Sequence, residues 1–143
     1  MDKKSDFLLY IISAIKEKSD EYLENQLSRN GLNGLVGSHG SILFALYSNK
    51  GRLKLTDIAR IIGRKKPTVT VLIDKLEKLD IVKREPSAED ARVTNVVLTD
   101  RGYEIRKIYY RIGRELLEKA YGGISEAEKE NLTELLVKIA KNF

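Results

Sequence analysis

The chain has 143 residues, enough for one domain, with 26 Lys and Arg against 21 Asp and Glu for a net charge of +5. With no Cys and a single His, it is excluded from disulfide scaffolds, thiol nucleophiles, thiolate metal sites and His-rich centres, and neither a metal nor a cofactor is expected. No apolar run approaches the roughly 18–20 residues of a membrane span, and the segment from Met1 to Asp6 lacks the apolar core of a signal peptide, so the expectation is a cytoplasmic protein with no membrane partner.

In chain order, Asp6 to about Asn30 is predicted as a long helix, because Leu8, Ile11, Ile12, Ile15, Tyr22, Leu23 and Leu27 recur at mostly helical spacing among Lys and Glu. Gly31, Gly34 and Gly37 mark an irregular connection. Ser38 is the expected N-cap of a second helix that ends near Asn49 to Gly51. A short third helix is predicted from about Leu55 to Ile62, stopped by Gly63.

Pro67 belongs in the first turn of a fourth helix reaching about Leu79, and it pushes Lys66 toward extended backbone. The stripe Val69, Leu72, Ile73, Leu76 faces inward and leaves Pro67, Thr70, Val71, Asp74, Lys75 and Lys78 facing out. Ile81 to Glu85 and Arg92 to Leu98 read as a two-stranded hairpin with a turn-rich tip, Pro86 to Ala91. Thr99 caps a fifth helix carrying Ile105, Ile108, Tyr109, Ile112 and Leu116 on one face, and Gly122-Gly123 ends it. Ser125 to Glu128 is a capping box opening a last helix with the stripe Leu132, Leu135, Leu136, Ile139.

Two short helices joined by a glycine turn and followed at once by a β-hairpin describe a winged helix-turn-helix, whose second helix enters the major groove of DNA. Charge agrees. Between Arg52 and Arg84 there are ten Lys or Arg against four Asp or Glu, so the rest of the chain is nearly neutral. The positive charge lies where a phosphate backbone would run. A merely solvated Lys-rich face is the simpler explanation of the charge alone, and the helix order weighs against it. On the outer face of the fourth helix Thr70 suits a base or phosphate, and Val71 suits a thymine methyl. Asp74 on that face would repel phosphate unless paired with Lys75, Lys78 or a cytosine amine. Lys65, Lys66 and Lys78 suit phosphates.

Leu55-Thr56-Asp57-Ile58-Ala59, Thr68-Val69-Thr70, Leu76-Glu77-Lys78 and Val82-Lys83-Arg84 resemble the helix-turn-helix core of the MarR family of transcriptional regulators. Asp90-Ala91-Arg92, followed by Val96 to Gly102, resembles that family's wing and the start of its next helix. The resemblance spans essentially the whole chain. It implies a mainly α fold with a two-stranded β wing, in which a winged helix-turn-helix is flanked by N- and C-terminal dimerisation helices. The expected division of this single domain is 36–98 for DNA binding, with 1–35 and 99–143 for dimerisation.

The resemblance further implies a homodimer on a pseudo-palindromic double-stranded operator, with Arg92 entering a minor groove and Asp90 steadying it. The expected DNA contacts are Arg64, Lys65, Lys66, Pro67, Thr68, Thr70, Val71, Lys75, Lys78, Asp90 and Arg92. Two departures stand out: Asp80 replaces the family's usual Gly after the recognition helix, and Ala91 replaces a second wing Arg found in many members. Many members also bind a small, often aromatic, anionic effector, for which His39, Tyr10 and Tyr47 are the candidates here. For each of them a packed or hydrogen-bonded structural role is the plainer expectation. The reading is therefore a DNA-binding regulator, a repressor released by such a ligand, and not an enzyme. The alternative is an architectural winged-helix protein of low sequence specificity without a ligand.

Overall fold

Leu27, Leu43, Leu46, Ile58, Ile73, Leu76, Ile81 and Ile112 are all fully buried and make one core out of segments far apart in the chain. The structure, a computed structural model, describes residues 4–143; Met1 to Lys3, part of the segment read above for a leader, lie outside the described residues. A short 3₁₀ turn, Lys4–Phe7, leads into α1, Leu8–Arg29. There follow α2 (Gly37–Tyr47), β1 (Arg52–Lys54), α3 (Leu55–Ile62), α4 (Lys66–Lys78), β2 (Val82–Pro86) and β3 (Thr94–Leu98). The chain closes with α5 (Asp100–Glu104), α6 (Arg106–Ala120) and α7 (Glu126–Ala140). This is a mainly helical winged fold. No helix among the described residues is long and apolar enough to cross a membrane.

The expected hairpin is present, β2 against β3, but a third strand joins it. β1 pairs antiparallel with the other edge of β3, Arg52 opposite Val97 and Lys54 opposite Asn95, giving the order β1-β3-β2. The two-stranded wing is thus part of a three-stranded sheet, with β1 added at its base. Arg52-Leu53-Lys54 has one apolar residue and no β-branched one, so strand propensity does not betray it; pairing with β3 makes the strand.

Other boundaries differ for local reasons. The N-cap of α2 is Val36, not Ser38: the Val36 backbone is extended, and its N–H donates to Nδ1 of His39 at 2.9 Å. The extended residue before α4 is Lys65, not Lys66, which places Pro67 second in the helix, where it still displaces no intrahelical hydrogen bond. The predicted fifth helix is split at Ile105, whose dihedrals stay helical, so α5 and α6 nearly run on. Thr99 caps α5 by accepting from the Gly102 N–H at 3.1 Å, and Ser125 and Glu128 form the expected box at the start of α7.

Gly102 sits where only glycine fits: a Cβ there would lie 2.3 Å from the Ile81 carbonyl oxygen. The Gly102 carbonyl accepts from the buried Tyr47 hydroxyl at 2.7 Å, fastening α5 to α2. The two ends of the chain are packed very differently from this core. No residue of α7 is buried, and Leu9, Tyr10, Ile11, Ile12 and Ile15 on the first half of α1 are exposed.

Candidate nucleic-acid interface

The turn between α3 and α4 sets the helix-turn-helix. Gly63 takes φ +66°, and the Arg64 and Gly63 N–H groups donate to the Ala59 and Arg60 carbonyls at 3.0 and 3.3 Å. This is a Schellman closure, which frees the chain to reverse within three residues. Helix α4 then buries Val69, Ile73 and Leu76 completely. That anchoring turns Thr68, Val71 and Lys78 to solvent, with Val71 67% exposed. Arg64, Lys65, Lys66 and Pro67 are exposed at the helix start.

Helix α4 ends in a second closure of the same type. Asp80 takes φ +56°, its N–H donates to Glu77 O at 2.9 Å, and the Ile81 N–H donates to Leu76 O at 2.9 Å. The position where glycine was expected is left-handed, and Asp tolerates it.

Three expected contacts are placed differently from the sequence reading. Lys75 turns sideways: a Cβ built on Gly34 would meet its Cε and Nζ at 2.9 Å, so its ammonium lies over the loop after α1 and not on the outer face. Thr70 is half-buried, and its hydroxyl donates to its own helix at Lys66 O, 3.0 Å away. Asp74 pairs with neither Lys75 nor Lys78 but with Arg84.

Arg84, just past the turn on β2, enters the sequence reading as a charge and a motif residue, with no partner named for it. Its Nη1 donates to Glu77 Oε1 at 2.9 Å, and its Nη2 donates to Asp74 Oδ1 at 2.6 Å and to the Thr70 carbonyl at 3.2 Å. Its backbone N–H also donates to Glu77 Oε2 at 3.0 Å. One guanidinium therefore pairs with both carboxylates of the exposed end of α4 and ties the wing to that helix. Two acids three residues apart, with an Arg just beyond the turn, were the available signal.

At the wing tip, Asp90 Oδ1 accepts from the Arg92 backbone N–H at 3.0 Å and from Nε at 3.1 Å, while Oδ2 accepts from Nη2 at 3.1 Å. The Arg92 hydrogen bonds hold the Asp90 carboxyl below the usual carboxylate range. The Arg92 side chain is 90% exposed, and its guanidinium is held by Asp90 through Nε and Nη2, so the charged head is set in place at the tip. Across the wing base Glu85 pairs with Arg52 at 2.9 Å and Lys83 at 3.0 Å.

The candidate effector residues do not share a site. His39 is buried with its Nδ1 engaged by Val36, and burial, with the nearby Lys75 charge, pushes its pKa down. Tyr47 is buried with its hydroxyl bonded to Gly102 and its pKa pushed up to about 12 by burial. Tyr10 is 73% exposed on α1. A cleft of about 680 Å³ lies elsewhere, between α2, α6 and the start of α7, lined by Phe44, Tyr110, Leu117 and Tyr121 with the charged Arg114, Glu118 and Lys129. Among the described residues no cluster of His, Asp and Glu has the makings of a metal site.

Comparison with known proteins agrees with this geometry. Residues 31–93 match the family model described as the MarR family. The chain is 25% identical over 141 residues to the HTH-type transcriptional repressor IacR of Pseudomonas putida, covering 99% of this chain and 82% of that one. It is 30% identical over 115 residues to the uncharacterized HTH-type transcriptional regulator YkoM of Bacillus subtilis, covering 80% of this chain and 74% of that one. The S. aureus MepR–DNA complex superposes with a TM-score of 0.83 at 25% identity, over 99% of this chain and 100% of that one. A helix-turn-helix exposing a cation-flanked second helix, a wing and these relatives lead to one conclusion: the chain belongs to the MarR family and is a DNA-binding transcriptional regulator.

Proposed function

We propose that the protein acts as a homodimeric repressor that reads a pseudo-palindromic operator and leaves it when a small ligand binds. The observation that carries the dimer is the unburied apolar surface at the two ends of the chain. A compact monomer of 16.3 kDa exposes about 7,500 Å², whereas this chain exposes 10182 Å². The excess, about 2,700 Å² per chain, is of the order that obligate dimers cover. Leu9, Ile11, Ile12 and Ile15 of α1, with Leu132, Leu135, Leu136 and Val137 of α7, supply its apolar part. A second copy seated on residues 1–35 and 99–143 leaves the 36–98 units free at the two ends, one recognition helix each, for half-sites about one helical turn apart.

Within each unit Val71 and Thr68 face base edges. Arg64, Lys65, Lys66 and Lys78 take phosphates, and Arg92 reaches a minor groove with Asp90 as its brace. Lys75 and Thr70 act from the side of the helix and not from its tip. Repression is the mode named for the Pseudomonas putida relative, and it needs only occupancy of a promoter. The aromatic lining of the cleft suits a small aromatic ligand, and its volume lies within the range of small-molecule sites. A ligand there releases DNA only if it favours a dimer whose helices miss the groove spacing.

The test is selection from random duplex pools at two salt concentrations, followed by sequencing. Enrichment of a pseudo-palindrome supports the reading. Salt-steep binding without enrichment would establish the architectural alternative. No binding at either salt would refute both.

A further inference from the structure

We propose that a small recess between α3, α4 and the wing is the seat of a single backbone phosphate of the duplex, gripped by Lys54 and Lys66 beside the wing arginine; this rests on the DNA-binding reading of the same face. The recess has a volume of about 220 Å³, and Lys54, Thr56, Lys66, Arg92 and Thr94 are among its lining residues. Small-molecule sites run from about 300 to 1,000 Å³, so the space suits a phosphate group better than an effector.

Its cations come from three separate elements. Lys54 ends β1 and stands at the N-cap position of α3, Lys66 is the first residue of α4, and Arg92 belongs to the wing. No carboxylate lines it. The nearest acids in sequence are already engaged, Asp57 by Arg60 at 2.9 Å and Asp90 by Arg92 at 3.1 Å. The exposed Thr56 hydroxyl adds a donor, and α3 starts with no side chain capping its first turn, so its N–H groups add to the positive field.

Lysine at an N-cap is a poor choice for the helix itself, since it cannot accept a hydrogen bond from the first turn. A phosphate oxygen supplies that acceptor. The position also has a geometric meaning. The recess lies between the start of the recognition helix and the wing arginine, so the phosphate held there belongs to the ridge separating the groove that α4 enters from the groove that the wing reaches. Lys54 thereby fixes the register of both.

The experiment replaces each phosphate of a selected duplex in turn by an uncharged methylphosphonate and measures binding by the wild-type protein, Lys54→Ala and Lys66→Ala. One position should weaken the wild type several-fold and leave both variants indifferent, because both have already lost the grip on that phosphate. At the unmodified duplex the double variant should lower the slope of log affinity against log salt by about one, the value for one phosphate, and not by two. If the alanine variant melts lower than the parent, Lys54→Gln, which keeps the stem, replaces it.

A Lys54→Ala profile identical to that of the wild type, or sensitivities of the two variants at different phosphates, would overturn the shared seat while leaving DNA binding intact. Failure of the wild type to bind the duplex would overturn the DNA reading itself. If millimolar inorganic phosphate raised the melting temperature of the wild type but not of Lys54→Ala, with duplex profiles unchanged, the recess would be a site for free phosphate and the proposal would fail.

Discussion

Arg84→Ala isolates the clamp between the wing and the recognition helix. The substitution removes two ion pairs, to Glu77 and Asp74, and one hydrogen bond to the Thr70 carbonyl, but keeps the backbone N–H bond to Glu77. The guanidinium side chain is 25% exposed, while Asp74 and Glu77 are 51% and 43% exposed, so water screens the carboxylate side of each pair. Each ion pair then contributes nearer the surface range, about 0.5–1 kcal/mol, and the bond to the carbonyl about 1 kcal/mol. The expected loss is about 2 kcal/mol, a fall in melting temperature of about 4–8 °C for a chain of this size.

Urea unfolding followed by circular dichroism, at one fixed protein concentration because association feeds into stability, measures it. Arg84→Lys should recover less than half of the loss, since an ammonium cannot bridge both acids and the carbonyl as a planar fork does. Duplex affinity at low salt should fall in Arg84→Ala as well, because α4 then brings two unneutralised carboxylates to the phosphate backbone. Melting within about one degree of the parent for both variants would refute the clamp as a stabilising element.

Leu135→Asp should convert the dimer into monomers in sedimentation at micromolar concentration, since two unpaired buried charges cost about 3–5 kcal/mol each; an unchanged dimer mass would place Leu135 outside the interface. Asp80→Gly should stabilise the protein by up to about 1 kcal/mol by relieving a left-handed residue, read as a higher urea midpoint; a lower midpoint would mean that the Asp side chain stabilises the turn. His39 is buried with its pKa below 6.5, so below that pH the unfolded chain takes up a proton that the folded one resists. Stability should hold above about pH 6.5 and fall as the pH drops below it. This part of the pH dependence should vanish in His39→Gln, and a loss on the alkaline side instead would contradict a buried neutral imidazole.

The DNA-facing half of the fold was legible because its signals are local. Gly63 marks the turn, Pro67 marks the start of α4, and the stripe from Val69 to Leu76 decides which side faces out. Asp80, standing where the family usually has Gly, keeps a left-handed turn there. What stayed hidden depends on partners distant in sequence. β1 is a strand only because β3 runs beside it, 43 residues away from Leu53 at Val96. Arg84 is a clamp only because β2 folds back on α4, and Lys75 leaves the outer face because Gly34 offers it room.

The surroundings of the effector candidates depend on distant partners in the same way. Tyrosines at helical spacing give no hint of whether a hydroxyl will find a carbonyl, as Tyr47 does, or face outward, as Tyr10 does. The cleft itself is assembled from α2, α6 and α7, and no single stretch of sequence carries it.

The third strand has a mechanical consequence. β1 leads directly into α3 and is paired to β3, while Arg84 ties β2 to α4. Helix pair and wing are therefore cross-braced at both ends into one rigid arm, fastened to α2 at the Tyr47–Gly102 bond. Such an arm cannot keep its grip in one groove while surrendering the other. Whatever displaces α4 carries the wing with it.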